Sequence, residues 1–252
     1  MGHGGRRRTT IGIATVLTTT VAVLAAPPGA AVAAIPSLPL PSAHQVMGPS
    51  LIDSWWRPAP RPTLAQQRTL RFVPRAAVTA RTNDLLVPLL TAGDPDWYRV
   101  VVEREGIRGG GYALSFRGFV RRFGGSNRNL ADGVAGYYLV SWLAYAQRAP
   151  TSETRAATAA QRAGGRRFLL GVRRTLARDR GVRRLSDGDQ QQLFELLGAV
   201  AAHSWDVHQQ QLDAGLVKEA AATRQAIRVA VQRTTGVDLA RLRLTAAGLR
   251  AR

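Results

Sequence analysis

After Pro150 no proline occurs through Arg252, whereas eight of the thirteen prolines fall between Pro36 and Pro74. Proline lacks an amide hydrogen and its ring collides with the preceding helical turn, so the two stretches must fold differently. The proline-free part is rich in alanine, the best helix former, and is free to build long helices. The proline-dense part also holds Trp55-Trp56 and the run Arg57-Pro58-Ala59-Pro60-Arg61-Pro62. Residues 34–69 are therefore expected to form an extended linker arm. With 252 residues, the chain is long enough for one well-filled core and too short for two full domains. Residues 70–252 are expected to be that single helical domain.

The N-terminus reads as an export leader. Arg6-Arg7-Arg8 supplies positive charge, Ile11 to Ala26 is an apolar run softened by four threonines, and Ala31-Val32-Ala33 gives the small-x-small pattern that signal peptidase cleaves. The apolar run ends at Pro27-Pro28, short of the roughly 20 residues needed to cross a bilayer. Residues 1–33 are thus expected to be a removable signal peptide, and the mature protein to work outside the cytoplasm, secreted or associated with the cell envelope. Membrane anchorage is expected only if the leader is retained. No later stretch is apolar enough to span.

The absence of cysteine excludes a disulfide framework, thiolate catalysis and cysteine zinc sites. The formal charge is +19, and Lys218 is the only lysine. So strong an arginine bias, beside abundant Ala and Gly, carries the stamp of a GC-rich genome. The charge still acts physically, drawing the chain toward polyanions such as phosphate-rich wall polymers.

Helical periodicity is clearest from Leu130 onward. Asn129 is placed to cap a helix from Leu130 to Gln147, with Asp132 at the third helical position and a stripe of Val134, Tyr138, Ser141, Trp142 and Tyr145. Thr151 or Ser152 begins a second helix reaching about Asp179, with Gly164-Gly165 as a point of division. Ser186 caps a third, whose apolar stripe is wide enough to need neighbours on two sides. A fourth runs from about Leu216 to Thr235 and stops at Gly236, suited to a left-handed cap. Before these, Leu70 to Val73 reads as extended, Pro74 as the opening of a helix over 75–86, and shorter helices are expected near 97–105 and 113–123. The fold class is all-α: a bundle of about four long helices plus shorter N-terminal ones, preceded by a signal peptide and a proline-rich arm.

From about Leu70 to Leu249 the chain resembles a group of exported bacterial proteins known only as a domain of unknown function. The resemblance rests on Leu70-Arg71-Phe72-Val73-Pro74, on Asn129-Leu130-Ala131-Asp132 followed by Tyr137, Tyr138 and Trp142, on Gln191, Gln192 and Glu195, and on the tail Gly236-Val237-Asp238-Leu239 with Leu244-Thr245-Ala246-Ala247-Gly248-Leu249. Gly133 stands where such proteins tend to carry alanine, and Leu249 where phenylalanine is usual. The resemblance implies a signal peptide and a helical domain, and no activity.

Several clusters invite a site. Arg162, Arg166, Arg167, Arg173, Arg174, Arg178, Arg180, Arg183 and Arg184 have only Asp179 as a local counterweight. If Leu169, Val172 and Leu176 are buried, Arg167, Arg174 and Arg178 lie together in solvent as candidate anion-binding residues. Asn129, Asp132, Tyr137 and Glu195 are candidates for a polar pocket, although capping explains the first two. Glu195 beside Phe194 is the carboxylate whose burial would matter most. His203, Asp206 and His208 fall at spacings that do not place three ligands on one helical face, so no metal is expected. Trp142, Tyr138, Tyr145 and Trp205 read as core. Gly109-Gly110-Gly111 lacks the residues of a phosphate loop, and no catalytic motif or cofactor signature is present.

These features point to an exported noncatalytic domain whose basic face meets anionic envelope polymers or another envelope protein. Nucleic acid is disfavoured. The competing reading is a hydrolase of envelope polymers using Glu195 with Asp132 or Asp206 as acid and base. Oligomeric state is not written in the sequence.

Overall fold

The computed structural model describes residue 47, residues 54–55, residues 60–147 and residues 159–251. The expected signal peptide and most of the expected arm lie outside the described residues, as does the helix start at Thr151 or Ser152. What is described is all-α apart from one small hairpin. The elements are α1 (Leu64–Arg68), α2 (Ala76–Leu90), α3 (Asp96–Val101) continuing as a π-helical segment (Val102–Arg108), α4 (Gly111–Arg122), α5 (Leu130–Ala146), α6 (Ala159–Leu176), α7 (Arg180–Arg183), α8 (Asp187–Asp213) and α9 (Val217–Thr235). A 3-10 turn (Leu239–Arg241) leads into β1 (Leu242–Thr245), which pairs antiparallel with β2 (Gly248–Ala251).

The central element is α5. From Leu130 to Ser141 every residue is buried, because α4, α6, α8 and α9 surround it. The single stripe expected from spacing is therefore too narrow: a helix apolar on all sides belongs in the middle of a core. Small residues on α5 admit its neighbours. A Cβ at Gly133 would lie 2.5 Å from Cδ2 of Phe194, so the ring of α8 occupies the space an alanine would fill. The wide stripe of α8 faces α5, α4, α2 and α9, the two-sided burial its sequence demands. Caps set the helix starts: Asn129 accepts from the amides of Ala131 and Asp132, and Ser186 forms a capping box with Asp189. Gly236, at φ 75°, closes α9.

Gly164 and Gly165 do not divide α6, which runs unbroken through them. They are contact points. A Cβ at Gly164 would overlap the carbonyl oxygen of Thr245, and one at Gly165 the ring of Phe123. The hairpin thus lies directly on α6, burying Leu242, Leu244 and Leu249, while Trp142 Nε1 donates to the Leu242 carbonyl at 3.2 Å.

The N-terminal described residues are tied to this core. Leu70 to Val73 is extended, as its sequence suggests, and joins the entry to α5: the Leu130 amide donates to the Leu70 carbonyl at 2.9 Å. Pro74 precedes rather than opens α2, which begins at Ala76 and runs past Pro88 to Leu90. Within the expected arm, Thr63 caps the short helix α1. Met47 and Trp55 are buried; the Tyr138 hydroxyl donates to the Met47 carbonyl at 3.0 Å, and Trp55 meets Tyr138 and Phe168 edge-on. At these positions the segment covers apolar surface instead of extending into water, because a large aromatic ring gains more from burial than a spacer gains from freedom.

Candidate functional site

On α6, Phe168, Leu169, Val172 and Leu176 are buried, which fixes the opposite face in water. Arg167 and Arg174 are exposed on that face, whereas α6 stops at Leu176, short of the expected end near Asp179, and leaves Arg178 exposed in the turn that follows. At 3.6 residues per turn Arg167 and Arg174 fall within about 20° of one another around the helix and about 10 Å apart along it. Arg166 and Leu170 are exposed beside them, and Arg180, Arg183 and Arg184 continue the basic surface through α7. Neither helix contains Asp or Glu. The nearby carboxylate, Asp179, is spent on capping α7, where Oδ1 accepts from the Val182 amide at 2.9 Å. Among the described residues no carboxylate pairs with Arg167, Arg174 or Arg178.

One member of the arginine run departs from it. Arg173 turns inward and holds Asp132 through two bonds, Nε to Oδ1 at 2.5 Å and Nη2 to Oδ2 at 2.6 Å. Asp132 is fully buried and also accepts from the Ser126 amide. Burial pushes its carboxyl up, opposed by Arg173, by the Ser126 bond and by Arg71. The pair fastens α6 to the start of α5.

The four residues expected to share a polar pocket look toward four different partners. Asn129 caps its own helix, Asp132 is clamped by α6, and Tyr137 is buried and bonded to Thr234 on α9. Glu195 accepts at Oε1 from the Thr79 hydroxyl of α2 at 2.8 Å and from Gln191 at 3.0 Å. Gln191 in turn accepts from the Arg75 amide and donates to the Arg75 carbonyl, so it stands in for the side-chain cap that α2 lacks. Gln190 reaches the Thr69 carbonyl, and Asp187 accepts from the Val73 amide. The polar start of α8 is thus a strap that holds residues 69–79 against the bundle.

A different polar cluster is assembled where sequence gave only half of it. The Tyr112 hydroxyl of α4 and Nδ1 of His203 on α8 share a hydrogen bond of 3.0 Å, with the rings edge to face. Gly106 makes room: a Cβ there would sit 2.5 Å from the Tyr112 ring, and the π-helical turn carries Gly106 into place. Burial lowers the His203 imidazole to about 4, so it is neutral at physiological pH. Asp206, one turn further along α8, is pushed up to about 6 by burial. Tyr98 is raised to about 12, first by burial and then by Asp94 and Asp206, and Asp94 itself is raised by burial against Arg99. Burial thus moves the Asp206 carboxyl toward neutrality and moves Tyr98 and His203 away from it, so of these three the carboxyl is the group able to gain or lose a proton near neutral pH. The pairing of Tyr112 with His203 joins residues 91 apart, and no local pattern announces it. His203 and Asp206 carried the visible half, at i and i+3. His208 is buried. Among the described residues no group of three or more His, Cys, Asp or Glu is arranged to hold a metal ion.

A family model described as "Family of unknown function (DUF6683)" matches residues 111–252, from the first residue of α4 to the end of the chain and more than half its length. No curated protein and no solved structure matches. The matched part contains α6 with its arginines, the Arg173–Asp132 clamp, and Tyr112, His203 and Asp206.

Proposed function

We propose, starting from a chain that belongs to the DUF6683 family of unknown function, that the protein is an exported domain which attaches to phosphate-bearing components of the cell envelope through the guanidinium face of α6 and α7. The carrying observation is that Arg167 and Arg174 are exposed on one side of a helix without acidic residues, with Arg178 exposed in the turn that follows it, while the local carboxylates Asp179 and Asp132 are engaged elsewhere. Guanidinium groups bind phosphate oxygens with paired, charge-assisted hydrogen bonds, and several on one rigid helix act together. The leader read from Arg6 to Ala33 would deliver such a face to the compartment where envelope phosphates are displayed. Isolated cell envelopes should retain the protein at low salt and release it as salt screens the contacts. Absence of retention at low salt removes this reading.

A second reading has its own observation. With Asp132 clamped and Glu195 bonded in the strap, acid and base chemistry on envelope polymers would fall to Asp206, beside the Tyr112–His203 pair. Release of soluble fragments from envelopes by the wild-type protein and not by Asp206→Asn would support it. Equal release by both eliminates it.

A further inference from the structure

Leu170 is 46% exposed in the middle of the arginine face. Its neighbours one turn away on the helix are Arg166, Arg167, Arg173 and Arg174, and of these only Arg173 turns inward, to Asp132. The opposite face of α6 is packed: Gly164 meets the hairpin, Gly165 meets Phe123, and Gly171 approaches the Trp55 carbonyl. Among the described residues the open side of α6 therefore presents an aliphatic tip with three exposed arginines one turn away from it. A hydrated polymer gains from the guanidinium groups and nothing from the leucine. A lipid surface gains from both, since arginine heads sit at the level of headgroup phosphates while an apolar side chain between them reaches the acyl boundary.

We propose that this face docks on the surface of an anionic lipid bilayer, with Leu170 entering the interface and Arg166, Arg167 and Arg174 binding headgroup phosphates. The proposal rests on the reading that α6 carries the anion-binding surface, and it specifies which anion. No helix among the described residues is long and apolar enough to cross a membrane, so attachment through α6 would be peripheral.

The test uses the full chain and two variants, Leu170→Ser and Arg174→Gln, whose N-terminal apolar segment is identical, so ratios between them report on α6. Each is sedimented with vesicles of phosphatidylglycerol and phosphatidylcholine in equal parts, with vesicles of phosphatidylcholine alone, and passed over immobilised inorganic polyphosphate. Both substituted residues are exposed, and circular dichroism checks that helicity is kept. The expected result is partition onto the anionic vesicles only, reduced about fivefold by Leu170→Ser, with polyphosphate retention unchanged by that variant. Arg174→Gln should weaken both kinds of binding about fivefold. Wild-type partition by Leu170→Ser, or retention on polyphosphate without any partition onto vesicles, overturns the lipid assignment and leaves the anion-binding reading standing. If Arg174→Gln alters neither, both fall together.

Discussion

Substituting Arg173 by methionine keeps the length and helix propensity of the side chain but removes the two bonds that neutralise Asp132. The carboxylate is 0% exposed and would retain only the Ser126 amide at 2.6 Å. Breaking a buried pair by removing one partner costs about 3–5 kcal/mol. Because the Arg173 side chain is 30% exposed, water can approach from its side, and the lower end, about 3 kcal/mol, is expected. Arg174→Met, one residue on and fully on the solvent face, should cost no more than about 0.5 kcal/mol. The pH dependence has a definite sign. Burial already raises the Asp132 carboxyl, and loss of Arg173 raises it further. The folded variant then binds a proton more readily than the unfolded chain, so stability falls as pH rises through the gap between the two pKa values and returns as pH falls. Urea unfolding followed by helical circular dichroism at about pH 7.5 and about pH 5 measures both effects. Two methionine variants of equal stability at the higher pH, or an Arg173→Met deficit that does not shrink at the lower pH, would refute the reasoning.

Gly164→Ala should cost about 2 kcal/mol or more and lower Tm by about 4–8 °C, because its Cβ displaces the Thr245 carbonyl and lifts the hairpin. Gly118→Ala, in the α4 interior with nothing within 4 Å of the added carbon, should stabilise by up to about 1 kcal/mol in the same thermal scan. Tyr112→Phe leaves Nδ1 of His203 without its bond and should cost about 1–3 kcal/mol in urea unfolding. Since His203 is held neutral, with its imidazole lowered to about 4, its contribution to wild-type stability should decline as pH drops from about 6.5 toward that value. Asp206 has the opposite sign: raised to about 6, its ionisation burdens the folded state above that pH, so Asp206→Asn should gain stability over wild type there and lose the gain under acid.

The long helices were legible because cap and period agree. Asn129, Ser186 and Gly236 mark ends that the backbone respects, and the apolar spacing of α8 correctly demands more than one neighbour. The hairpin was not legible, since four-residue strands carry too little alternation, although Leu242, Leu244 and Leu249 in a short leucine-spaced tail were its only trace. Gly164-Gly165 was misread for a related reason: glycine announces either a break or a close approach, and only the Thr245 carbonyl across the gap decides. On the arginine face, the exposure of Arg167 and Arg174 follows from helical geometry, whereas Arg178, expected on the same helix, lies beyond its end at Leu176. Arg173 does not, because it sits at the edge of the buried stripe and its direction is set by Asp132, 41 residues earlier. Of the residues expected to share a polar pocket, Asn129 caps its own helix, while Glu195, Tyr137 and Asp132 each bond a distant partner, Thr79, Thr234 and Arg173, from three other helices. Burial of polar groups forces such pairing, while sequence spacing says nothing about which partner is used.

Binding of the wild-type protein and of the Arg167→Gln, Arg174→Gln, Arg178→Gln triple variant to isolated cell envelopes, measured over a salt series, bears most directly on the role assigned to α6. Three guanidinium contacts at about 1 kcal/mol each predict a loss of roughly two orders of magnitude in affinity for the triple variant at low salt, and a steep salt dependence for the wild type that the variant lacks. Equal retention of the two proteins, or wild-type binding indifferent to salt, would contradict it.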